Sequence, residues 1–65
     1  VKIELNGQPV ETGAMTLAAL LLEQNIDASC VASAVNGEFV PRSRYADFAL
    51  AEGQQLEVLS PMQGG

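Results

Sequence analysis

Histidine and tryptophan are absent from this 65-residue sequence, and cysteine occurs once, at Cys30. With no histidine and a single thiol, the usual zinc ligand sets cannot be assembled. Ser-His and Cys-His nucleophilic pairs are excluded for the same reason, so neither a metal site nor a catalytic side chain is expected. A lone cysteine forms no internal disulfide, and a small domain without such staples suits a reducing, cytoplasmic compartment. Basic residues are scarce: Lys2, Arg42 and Arg44 face eight carboxylates, for a net charge of −5. Such a surface repels phosphate backbones and lacks the basic stripe of nucleic-acid binders. It is equally repelled by anionic membrane, and the longest apolar run, Leu17 to Leu22, is too short to span a bilayer. The opening residues alternate in polarity and do not form a signal peptide's apolar block. Nucleic acid and membrane are therefore not expected partners, whereas a basic protein surface is.

What is present is enough for one small core. A chain of this size exposes about 4,000 Å² folded against roughly 9,900 Å² unfolded, burying about 60%. Hydrophobic residues make up 48% of the sequence and charged ones 17%, too apolar a balance for a disordered tail.

Local signals order the chain. Val1, Ile3 and Leu5 alternate with Lys2 and Glu4, the period of a strand. Asn6-Gly7 supplies the two positive-φ positions of a type I′ turn. Counting back across it pairs Leu5 with Gln8, Ile3 with Val10 and Lys2 with Glu11. Pro9 cannot donate to a ladder, which places the returning strand at a sheet edge. Thr16 is a reasonable N-cap, and Leu17, Leu20 and Leu21 form one apolar face. The spacing predicts a helix over about residues 16–24, closed by Asn25 in the left-handed conformation with Ile26 packing back. A second hairpin follows: Val31 to Val35, Asn36-Gly37, then Glu38 to Val40, stopped by Pro41. Ser43 is expected to cap a short helical turn over residues 44–47 that presents Tyr45 and Phe48 to the core. Gly53 marks a loop, and Gln55 to Leu59 reads as the last strand.

Two hairpins cannot each bury a face alone. A mixed sheet of about four to five strands laid over one helix satisfies them all, an α+β two-layer domain. Inserting the last strand beside the first, as a central parallel pair, gives the β-grasp or ubiquitin-like topology. The expected organisation is a β-grasp domain over residues 1–59 and an extended, flexible tail over residues 60–65.

The tail reads Ser60-Pro61-Met62-Gln63-Gly64-Gly65. Six extended residues reach about 20 Å. Two terminal glycines leave a carboxylate without neighbouring Cβ atoms, suited to a narrow channel in another protein. That is the geometry for activating a C-terminus: the Gly65 carboxylate attacks the α-phosphorus of ATP, and a sulfur nucleophile then displaces AMP to give a thiocarboxylate. Gly-Gly by itself more often marks a frayed terminus. Elsewhere, Cys30 is expected to be a buried, inert thiol, with a transient persulfide or partner disulfide as the alternative. Arg42 and Arg44 are expected on a solvated loop with acidic neighbours, with binding of a partner carboxylate as the alternative. Leu59 falls out of phase with Leu56 and Val58, and Met62 lies in the tail, so both are expected to be exposed and to dock a partner.

The segment Val35-Asn36-Gly37-Glu38-Phe39-Val40-Pro41-Arg42 resembles the VN-x-x-x-VPR stretch of the ThiS family. The likeness extends over the opening hairpin, the Thr16-Leu17 helix start, the Leu20-Leu21 pair, the Gly53 loop and the Gly64-Gly65 end. It departs at Tyr45, where the family often has Trp, and at Gly53-Gln54, where it often has Gly-Asp. The resemblance implies a sulfur carrier for the thiazole half of thiamine rather than an enzyme. A ThiF-type, E1-like enzyme would adenylate Gly65 using ATP and magnesium, with no cofactor bound by the carrier itself. Sulfur from cysteine, through a desulfurase, would make the thiocarboxylate, and a ThiG-type thiazole synthase would consume it. Gly64 and Gln63 would then be the residues that enter the partner's active site. Two other readings share the fold: a MoaD-like small subunit of molybdopterin synthase, and a ubiquitin-like module that binds or conjugates without carrying sulfur.

Overall fold

Residues 1–60 are described by the structure, a computed structural model of the chain. Two Asn-Gly turns set its strand pairs. β1 (Lys2–Leu5) and β2 (Gln8–Glu11) are joined through Asn6 (φ 51°) and Gly7 (φ 83°), both in the left-handed region that a type I′ turn requires. Their register pairs Lys2 with Glu11, Ile3 with Val10 and Leu5 with Gln8, as the sequence predicts. β3 (Ala32–Val35) and β4 (Glu38–Val40) are joined in the same way through Asn36 (φ 51°) and Gly37 (φ 84°). β5 (Gln55–Leu59) completes a five-stranded sheet in the order β2-β1-β5-β3-β4. It lies parallel to β1 and antiparallel to β3, so the strand formed last along the chain is central. β2, carrying Pro9, is an edge strand, where a missing N–H interrupts no second ladder.

The helix α1 (Leu17–Glu23) begins where its unpaired N–H groups find partners. The Thr16 hydroxyl accepts from the Ala19 N–H at 3.2 Å. The N–H groups of Leu17 and Ala18 donate to the carbonyls of Phe48 and Tyr45 at 2.9 and 3.0 Å. Those two bonds fasten the helix to the segment that leads into β5. At the other end Asn25 has φ 60°, and Ile26 and Asn25 donate to the carbonyls of Leu21 and Leu22, a Schellman closure. Leu17, Leu20 and Leu21 are buried and share one core with Ile3, Val31, Val35, Val40, Tyr45, Leu56 and Val58. The sheet has one face on this core, and among the described residues its other face is left uncovered, the mixed α+β arrangement expected of a β-grasp.

Three local expectations are corrected. A 3-10 turn over Ala28–Cys30 precedes β3, which starts at Ala32 rather than Val31. Asp27 draws the chain into that turn by accepting from the Ser29 N–H and hydroxyl at 3.0 and 2.7 Å. The second helical turn covers Arg42–Arg44 with Pro41, not Ser43, before it, because proline's fixed φ suits the entry to a helical turn. Arg42 is exposed but not merely solvated: its Nε donates to the Ala28 carbonyl at 3.0 Å, tying the two 3-10 turns together. Tyr45 is buried and its hydroxyl donates to Ser33 Oγ at 3.0 Å, while Phe48 is half-buried against the core.

Candidate functional site

Alternation along β5 separates its two jobs. Leu56 and Val58 are buried in the core, whereas Gln55, Glu57 and Leu59 lie on the free face of the sheet. Leu59 is 67% exposed and stands opposite Ala32 of β3. Phe39 of β4, paired with Ala34, projects to the same side and is 70% exposed. Ala32, Ala34, Phe39 and Leu59 line a shallow groove of about 100 Å³, with the Glu57 carboxylate on its border. Two large apolar side chains held in water on strands, beside the Glu57 carboxylate, form a surface suited to a partner with an apolar centre and a basic group at its edge.

The sequence reading named Leu59 for this role and missed Phe39. A signal for Phe39 was available: counting back across Asn36-Gly37 pairs it with Ala34, which alternates with Val35 and so points away from the core. Met62, Gln63, Gly64 and Gly65, the other residues named from the sequence, lie outside the described residues.

A second concavity sits where the chain leaves the sheet. It has a volume of about 310 Å³ and is lined by Asn6, Asn25, Asp27, Cys30, Val58 and Ser60, among others. Cys30 is exposed here, contrary to the buried thiol expected, because the 3-10 turn capped by Asp27 swings it out of the strand. Its Sγ lies 3.6 Å from Asp27 Oδ2. The Ser29 hydroxyl and backbone N–H hold the Asp27 carboxyl below its ordinary value. Among the described residues no group of three histidine, cysteine or carboxylate side chains could hold a metal ion. No helix among them is long and apolar enough to cross a membrane.

Comparison with known proteins bears on the whole chain. The sequence model of the ThiS family matches residues 2–65. A thiazole synthase from Paramagnetospirillum magneticum is 39% identical over 66 residues, which cover all of this chain and 20% of that protein. The chain therefore spans about a fifth of the length of the curated relative it matches. The crystal structure of the thiamine biosynthesis protein ThiS from Geobacter metallireducens superposes with a TM-score of 0.85 at 28% identity, covering both chains completely. An NMR solution structure of a thiamine biosynthesis protein from the same organism gives a TM-score of 0.80 at 25% identity, covering all of this chain and 88% of that one.

Proposed function

Because the chain belongs to the ThiS family, we propose that it is the sulfur carrier for thiazole formation in thiamine biosynthesis, with Gly65 as the residue that carries the sulfur. The observation that carries this reading is a family match running to residue 65, and so including Gly64-Gly65, on a chain whose central strand ends at Leu59. The chemistry then belongs to the terminus. A carboxylate is a poor electrophile; its attack on the α-phosphorus of ATP, bound with magnesium by a ThiF-type enzyme, releases pyrophosphate and leaves an acyl-adenylate. A persulfide, formed from cysteine by a desulfurase, displaces AMP through its outer sulfur, and a thiol such as free cysteine then cleaves the S–S bond, leaving the thiocarboxylate and a disulfide. The soft sulfur is then delivered within a ThiG-type thiazole synthase.

In this scheme the folded domain is a co-substrate and not a catalyst. It contributes a docking face, with Phe39 and Leu59 as anchors and Met62 as a further apolar contact from the tail. Gln63 and Gly64 enter the partner site with Gly65, and Gly64 places no side chain beside the reacting carboxylate. The thiazole synthase relative supports a ThiG-type acceptor: a segment 39% identical to this chain lies within a polypeptide bearing that name. That observation favours the thiamine pathway over a molybdopterin synthase subunit and over a plain ubiquitin-like binding module.

The test is the intact mass of the chain after incubation with a ThiF-type enzyme, a cysteine desulfurase, cysteine, ATP and magnesium. An oxygen-to-sulfur change in the full chain, absent when Gly65 is deleted, is the expected result. An unchanged mass, while an established ThiS carrier converts in the same mixture, refutes the reading.

A further inference from the structure

Asn6 has a second task beyond turning the first hairpin. β1 pairs with β5 only at Glu4–Gln55 and Leu5–Leu56, and the Asn6 N–H adds a bond to the Leu56 carbonyl at 2.8 Å. There the hairpin turns away, although β5 continues to Leu59. The Asn6 side chain takes the place of the missing strand. Its Oδ1 accepts from the Val58 N–H at 2.8 Å, and its Nδ2 donates to the Val58 carbonyl at 3.1 Å. One amide thereby pairs both backbone groups of Val58 that a continuing parallel strand would have paired. Asn6, Val58 and Ser60 together line the concavity at the point where the chain leaves the sheet.

We propose that Asn6 is a positioning residue for the C-terminal reaction, acting through Val58 to fix the point from which the chain departs toward Gly65. The inference rests on the carrier reading above. Delivery of a terminus into a partner's active site is an intramolecular search once the domain has docked. Its effective concentration falls as the tether grows longer or its root less defined. With the clamp closed, β5 is held on both sides at Val58; with it open, only β3 holds it there, and the direction in which the chain leaves Leu59 is less defined.

Asn6→Asp isolates the clamp. Asp-Gly serves a type I′ turn as well as Asn-Gly, so the hairpin is kept. The acceptor for the Val58 N–H is kept too, but the donor is lost and a carboxylate oxygen is set against the Val58 carbonyl. Asn6→Gly, compatible with positive φ, removes the side chain altogether and serves as a second variant. The control is Thr16→Ala, which lowers stability by removing the cap on the Ala19 N–H at the helix start. Pyrophosphate release by a ThiF-type enzyme is measured for all four chains, well below every melting temperature, with amide exchange at Val58 read in parallel. Both Asn6 variants are expected to lose about ten-fold in kcat/KM, roughly one or two hydrogen bonds' worth. The loss falls mainly on kcat, since the docking face is intact, and Val58 exchanges faster. Thr16→Ala is expected to turn over like wild type. Asn6 variants that lose stability but match Thr16→Ala in kcat/KM overturn the inference while leaving the carrier reading in place. A wild-type chain that is not turned over at all overturns the carrier reading, and this inference with it.

Discussion

Phe39→Ser separates docking from folding. The ring is 70% exposed, so its removal takes little from the core. A covered phenylalanine buries roughly 150–250 Å², of which the exposed part here is about 100–175 Å². At about 25 cal/mol per Å², complete covering by a partner is worth about 2.5–4 kcal/mol before the cost of ordering the interface. About 2 kcal/mol remains as a realistic anchor contribution, or roughly 30-fold in Kd. Titration calorimetry of wild type and Phe39→Ser against ThiF-type and ThiG-type partners reads this directly. Thermal melts of the free chains check that the variant is folded. Leu59→Ser, at a residue 67% exposed in the same groove, is expected to weaken binding in the same direction by a smaller step. Binding by wild type should also weaken with added salt, because Glu57 borders the groove and exposed charge pairs are screened. If a folded Phe39→Ser chain binds either enzyme with undiminished affinity, the free face of the sheet is not where that enzyme docks.

Much of this arrangement was legible because its signals are local. Asn6-Gly7 and Asn36-Gly37 dictate their turns within two residues, and strand alternation then fixes register and inward face without reference to the rest of the chain. The helix ends were legible for the same reason, through Thr16 and Asn25. Non-local ties were not. The exposure of Cys30 depends on a 3-10 turn held on one side by Asp27 and on the other by Arg42, whose Nε reaches Ala28 across 14 positions. Nothing near Cys30 in sequence announces that bond. The clamp of Asn6 on Val58 joins residues 52 positions apart, and the turn preference of Asn-Gly already gave Asn6 a sufficient reason to be there. Phe39 differs from both, because strand period places it on the free face. Leu59 lies close to Gly65 in sequence, whereas Phe39 comes to its side only through the pairing of β4, β3 and β5. Proximity along the chain is a poor guide in a sheet whose last strand is central: Ala34 sets Phe39 and Glu57 on either side of itself.

Three further outcomes are expected. Cys30, being exposed, is alkylated by iodoacetamide without unfolding; protection until denaturant is added would contradict its placement. The Asp27 carboxyl, held down first by the Ser29 hydroxyl and then by the Ser29 N–H, titrates by NMR below the ordinary 3.8, and Ser29→Ala moves its midpoint upward. A depressed folded value means that its stabilising contribution is complete above the unfolded value and is lost as pH falls through the folded one. Finally, Tyr45→Phe strands the buried Ser33 hydroxyl, and Ser33→Ala strands the Tyr45 hydroxyl. Each single change is expected to cost about 1–2 kcal/mol, or about 7–15 °C in Tm for a chain of this length. The double variant leaves no polar atom of this pair unsatisfied, so it should be more stable than the sum of the two losses implies. Additive losses would mean that the two hydroxyls do not depend on one another, and that Tyr45 is held by its ring alone.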